Sequence, residues 1–83
     1  MRIDKFLSTV NLVKRRAVSE DMLEHNVVFL NGNSVKKAKE VKVGDIIELR
    51  YIEYTDKYQV LAIPTTKSTP KSKQEEYVRK VAE

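Results

Sequence analysis

The chain has no cysteine and no tryptophan, a single histidine, and only two glycines and two prolines in 83 residues. Without cysteine there is no disulfide scaffold, no thiolate metal site and no cysteine nucleophile, so a chain this short must rely on packing alone. The lone His25 has no second histidine or cysteine with which to build a metal site or a hydrolytic constellation. It is expected at a helix C-terminus, interacting with the dipole. No apolar run approaches the roughly 18 residues needed to span a bilayer. The start, Met1-Arg2-Ile3-Asp4, leads into a charged amphipathic stretch rather than a signal-peptide apolar region. A soluble, cytoplasmic chain with no membrane partner is expected.

What is present points to one small domain. With 41% apolar and 34% charged residues, the chain can build one modest core but not a large buried active site. Its net charge of +4 lies wholly in the first quarter: residues 1–19 hold Arg2, Lys5, Lys14, Arg15 and Arg16 against Asp4 alone, while 11 basic and 11 acidic residues cancel from Glu20 onward. A localised positive field suits a polyanion. Catalysis has no evident seat, since Glu75 and Glu76 are sequence neighbours on an expected helix and face different directions. Neither a cofactor nor a small-molecule substrate is expected.

Ile3, Phe6, Leu7 and Val10 fall at i, i+3, i+4 and i+7, which predicts a first helix over about residues 3–10, broken at Asn11. Residues 14–25 are good helix formers, with Ala17, Val18, Met22 and Leu23 available to a core, and Asn26 follows as a residue that tolerates the left-handed conformation. Lys14, Arg15 and Arg16 crowd the start of this helix and Glu20, Asp21 and Glu24 sit late in it, the reverse of what the dipole favours. Such a local cost, up to about 1 kcal/mol, makes sense where an anion will neutralise it.

The period then changes. Residues 27–30 are apolar, Asn31-Gly32 is a strong hairpin signal, and residues 34–36 return. Gly44-Asp45 is a turn, residues 46–54 read as a strand, Thr55-Asp56-Lys57 as a turn and residues 58–63 as a last strand closed by Pro64. Residues 65–73 contain nothing apolar and are expected to be a flexible linker. Ser72 and Glu75 have capping-box spacing, and Tyr77, Val78 and Val81 form a weak stripe along a final helix of about ten residues. The expected division is therefore 1–64 and 65–83, within an α+β fold of two N-terminal helices on a small, mostly antiparallel sheet.

Four stretches stand in a familiar order: Arg2-Ile3-Asp4-Lys5-Phe6-Leu7, Lys14-Arg15-Arg16-Ala17, Val28-Phe29-Leu30-Asn31-Gly32 and Gly44-Asp45-Ile46-Ile47. Together they resemble the S-four RNA-binding domain, also called the alpha-L motif, over about residues 1–50. One departure is Asn26, where the family usually has glycine before the first strand; asparagine also holds a positive φ. The length resembles the short stand-alone bacterial members, among them a ribosome-quality-control factor and a heat-shock-induced ribosome-binding protein. The resemblance implies docking on large-subunit rRNA and on tRNA, where stalled large ribosomal subunits still carry peptidyl-tRNA; with no seat for catalysis and nothing that suggests an obligate dimer, a non-enzymatic monomer is expected.

The expected RNA-binding residues are Arg2, Lys5, Lys14, Arg15 and Arg16, whose guanidinium forks and ammonium groups suit phosphate oxygens, with Lys36, Lys37 and Asn31 beside the hairpin. Asp4 is the wrong sign for a phosphate ligand and is expected to cap the first helix or hold Arg16. Gly32 and Gly44 are expected to support turns. The aromatics Phe6, Phe29, Tyr51, Tyr54, Tyr58 and Tyr77 are not arranged as a base-stacking pair and are expected in the core or on a sheet face. Two other classes remain: a protein adaptor acting through residues 73–83, and a membrane-surface binder, for which the basic helix lacks a long apolar face.

Overall fold

The computed structural model describes residues 1–81. Helix α1 (Ile3–Thr9) and helix α2 (Arg16–Glu24) precede strands β1 (Val28–Leu30), β2 (Asn33–Ser34), β3 (Ile46–Arg50) and β4 (Thr55–Val60); a 3-10 helix (Lys71–Glu76) and strand β5 (Val78–Lys80) complete it. The five strands form one sheet in the order β2-β1-β3-β4-β5, every pairing antiparallel. The α+β class and the two helices on an antiparallel sheet stand as expected.

The first stripe is fully buried: Ile3, Phe6, Leu7 and Val10 are each 0% exposed. They pack on the sheet face carrying Val28, Leu30, Ile47, Leu49 and Val60, which period-two alternation sends to one side. The opposite face carries Phe29, Glu48 and Arg50, with the Arg50 guanidinium 3.7 Å from the centroid of the Phe29 ring.

Asparagine ends three elements, each time with positive φ: Asn11 at 64°, Asn26 at 57° and Asn31 at 52°. Both helices close in the same way. At α1 the Leu12 N–H donates to the Leu7 carbonyl (3.0 Å) and Asn11 to Ser8 (3.2 Å); at α2 Val27 donates to Met22 (3.3 Å) and Asn26 to Leu23 (3.2 Å). This is the paired-bond helix stop that a left-handed residue makes possible.

Ala17 and Val18, expected to be available to the core, are exposed on α2, and four further expectations need correction. Helix α2 begins at Arg16, not Lys14: Arg15 is extended (φ −137°, ψ 149°) and its carbonyl accepts the first helical bonds, from Val18 and Ser19. The β3–β4 turn lies at residues 51–54 rather than 55–57. There the Tyr51 N–H donates to the Tyr54 carbonyl at 2.8 Å, the two rings stack at 4.7 Å, and Lys57 falls opposite Glu48 in the ladder. The final α-helix is instead a 3-10 turn followed by β5, because Val78 gains burial opposite Val60 and β4 offers backbone partners that a marginal ten-residue helix lacks. Ala82 and Glu83, the end of that expected helix, lie outside the described residues. Residues 65–70, expected as linker, are laid against α1, with Thr69 buried and its hydroxyl donating to the Thr9 carbonyl at 2.8 Å.

Candidate nucleic-acid interface

The N-terminal charges converge on one carboxylate. Asp4 is the second residue of α1 and is 0% exposed. Its Oδ2 lies 3.2 Å from a guanidinium nitrogen of Arg2 and 3.2 Å from one of Arg16, while both arginines remain roughly half exposed. The two contacting nitrogens, each 3.2 Å from the same oxygen, are therefore neighbours, close enough for the two forks to grip one phosphate or two adjacent ones. The other carboxylate oxygen accepts the Lys5 N–H at 2.8 Å, so Asp4 both ties the first turn and holds Arg16, as its sign and place suggest.

The crossing that permits this is locked by a residue with no obvious sequence signal. Ser19 is fully buried, and its hydroxyl lies 2.7 Å from both the Asp4 and the Arg16 carbonyl oxygens. With one O–H to donate, this hydroxyl is shared between two carbonyls, one on each helix. Arg16 also pairs with Glu20 at 3.4 Å, which accounts for one of the misplaced acids of α2. A second, Asp21, meets His25 at the C-terminus. The His25 pKa is raised, first by the hydrogen bond to the Asp21 carbonyl and then by the Asp21 charge.

The remaining candidates distribute unevenly. Lys5 is half-buried on α1, whereas Lys14 and Arg15 are exposed in the connection between the helices. Residues 37–41 run antiparallel to residues 1–4: Ile3 donates to the Lys39 carbonyl (2.8 Å), Asp4 to Lys37 (3.4 Å) and Val41 to Met1 (2.9 Å). This brings Lys37 beside the arginine pair and adds Lys39, a cation that no local pattern marks. Lys36 and Lys37 also line a surface cleft with Glu20, Leu23 and Glu24. Asn31 is committed elsewhere, its amide oxygen accepting the Ile46 N–H at 2.9 Å and its nitrogen donating to Asp45 at 3.1 Å. Gly32 and Gly44 take φ of 88° and 94°. An added Cβ would touch nothing at either, so backbone strain alone selects glycine. Phe6 is core, Phe29 lies under Arg50, and Tyr58 and Tyr77 pack at the core margin. Tyr51 and Tyr54, expected in the core or on a sheet face, are instead exposed on the β3–β4 turn, where they stack on each other.

Residues 1–47, more than half the chain, match the model of the S4 domain. The chain belongs to the S4 domain family. The matched S4 segment contains Arg2, Asp4, Arg16, the 37–41 return and the hairpin. The chain is 47% identical over 78 residues to the RQC P-site tRNA stabilizing factor of Helicobacter pylori, covering 94% of this chain and 93% of that one. It is 37% identical over 51 residues to the factor of the same name in Bacillus subtilis, covering 61% and 59%. Among solved structures it is similar to the trimeric Heat Shock Protein 15 of Vibrio cholerae, with a TM-score of 0.88 at 26% identity over 99% of this chain and 82% of that one. A solution structure of a hypothetical protein matches with a TM-score of 0.86 at 43% identity, over 100% of this chain and 99% of that one.

Proposed function

We propose that this protein is a non-catalytic, cytoplasmic RNA-binding factor that docks as a monomer on large ribosomal subunits carrying peptidyl-tRNA, contacting rRNA and tRNA. The observation that carries the reading is the buried Asp4 carboxylate presenting Arg2 and Arg16 side by side on an S4 domain. Its similarity over nearly the whole chain to factors named for stabilizing P-site tRNA supports the ribosomal target. Arg2 and Arg16 grip phosphate oxygens; Lys5, Lys14, Arg15, Lys36 and Lys37 extend the contact; Asn31, Gly32 and Gly44 hold the hairpin and turn beside it. Recognition then rests on phosphate geometry and RNA shape.

The test is co-sedimentation with purified large subunits, empty or carrying peptidyl-tRNA, at about 150 mM salt, where non-specific contacts are weak. Preferential binding to the loaded subunit is expected, with a log–log salt slope to which the five cations of residues 1–19 alone contribute roughly −3.5 to −4.5. Arg16→Glu should weaken binding to every RNA while the fold stays intact. A flat salt response, or equal binding to empty and loaded subunits, overturns the reading. The Vibrio cholerae relative is trimeric in its structure, so the mass of the free protein in solution belongs to the same test.

A further inference from the structure

We propose that Lys67, Lys71 and Lys73 form a second phosphate-binding strip, held in place by Thr69 and continuous with Lys14 and Arg15. The inference rests on the RNA-binding reading above but uses residues outside the matched S4 segment.

The chemistry is that of a polyanion site. Residues 65–74 contain three lysines and no acidic residue. All three lysines are exposed, and among the described residues none forms an ion pair. Solvated lysines in a free linker would satisfy those facts as well. What separates the two readings is the anchoring.

A helix leaves its last carbonyls without intrahelical partners, and this segment supplies them at α1. The Thr69 hydroxyl and N–H both donate to the Thr9 carbonyl, at 2.8 and 3.2 Å. The Asn11 side chain donates back to the Thr69 carbonyl at 2.9 Å, the Thr9 hydroxyl donates to the Lys67 carbonyl at 3.4 Å, and the Gln74 amide donates to the Val10 carbonyl at 2.9 Å. Thr69 is 7% exposed, a burial that a solvated linker does not produce. Both ends of the lysine run are therefore pinned, and less ordering entropy remains to be lost when a ligand arrives.

The pinned site also lies where the first cations leave α1. Asn11, bonded to Thr69, is three residues from Lys14, at most about 11 Å of chain. Lys67 and Lys71 are each two residues from Thr69, at most about 7 Å. These limits put Lys14, Lys67 and Lys71 around one end of α1, with Lys73 two residues beyond Lys71 and Arg15 between Lys14 and Arg16 of the Asp4 pair. A simpler role is compensation of the α1 dipole, which falls off within the last turn, where α1 itself carries no basic residue. It also predicts a different experiment.

The full-length triple variant Lys67→Gln/Lys71→Gln/Lys73→Gln is compared with the unmodified protein and with Arg16→Glu, on purified large subunits and on a free structured rRNA fragment. The salt slope should become shallower by about 2 on both ligands, with an unchanged urea midpoint. Thr69→Val, which keeps the lysines but removes the hydroxyl anchor, should weaken binding several-fold. An unchanged slope in the triple variant, with Arg16→Glu still weakened, overturns the strip and leaves the proposed function standing. The same slope with a lowered urea midpoint assigns the lysines to the α1 dipole. Loss on subunits but not on rRNA means that they meet a protein, which overturns the RNA assignment. Unaltered binding by Thr69→Val overturns the anchoring. Absence of RNA binding by the unmodified protein removes both proposals.

Discussion

Arg2 and Arg16 differ from Lys14 and Arg15 in one respect that composition does not register. All four are cations within the first 16 residues, yet the first two share the buried carboxylate of Asp4, whereas the second two are exposed and form no ion pair among the described residues. Counted with Asp4 and Glu20, the arginine pair is electrically neutral. Its contribution is therefore geometric: two forks already aimed, with part of the ordering entropy, about 0.5–1.5 kcal/mol per side chain, spent in folding. In the proposed function, Lys14 and Arg15 keep their full charge and supply the field that steers an anion. The difference separates grip from attraction within one short stretch of chain.

The change that breaks this comparison most directly is Asp4→Asn, which preserves shape but removes the charge that holds the pair. Removing one partner of a fully buried ion pair typically costs 3–5 kcal/mol. Here the stranded guanidinium groups are half exposed and can rehydrate, so a loss of about 1–3 kcal/mol is expected in urea unfolding. Affinity for loaded large subunits should fall as well, through faster dissociation. Equal affinity in Asp4→Asn would show that the two sets of cations are interchangeable.

A smaller effect sharpens the comparison without changing any charge. Arg16→Lys removes the planar fork at the held position, and Arg15→Lys removes it at the free one. Binding should weaken about five- to tenfold for Arg16→Lys, or roughly 1 kcal/mol, and less than twofold for Arg15→Lys. Equilibrium binding at fixed salt separates the two. Matching losses would place Arg15 in the grip.

Much of this was legible in the sequence where the signal is local. The Ile3, Phe6, Leu7, Val10 stripe, the Asn26 stop and the Asn31-Gly32 turn each rest on periodicity or on a residue's own backbone preference. The contact of Asp4 with Arg16 follows from sign and from two helices that must cross. What escaped depends on distant partners. Val78 reads as a weak helical stripe until Val60 is opposite it. Ile52, fully exposed at 104%, reads as strand because nothing local says that Tyr51 and Tyr54 will stack across a turn. Thr69 in a polar run carries no mark of burial, because the carbonyl it satisfies is 60 residues away. Ser19 is hidden for the same reason.

At the far end of α2 the comparison repeats on the surface. His25 and Asp21 are both exposed, and their atoms lie 3.5 Å apart, so water competes for the same contacts that it cannot reach at Asp4. The hydrogen bond to the Asp21 carbonyl, followed by the Asp21 charge, raises the His25 pKa above its usual 6.5. A histidine with a raised folded-state pKa stabilises the fold fully below the unfolded value, and that contribution disappears as pH climbs through the folded value. His25→Gln should therefore lower the urea midpoint slightly at about pH 5.5 and leave it unchanged at about pH 8.5. The shift should be far smaller than that of Asp4→Asn at either pH, because a fully exposed pair is screened. A His25→Gln deficit that persists or grows at the higher pH would mean that the ring acts by packing, and that the charge contrast between the two ends of α2 does not hold.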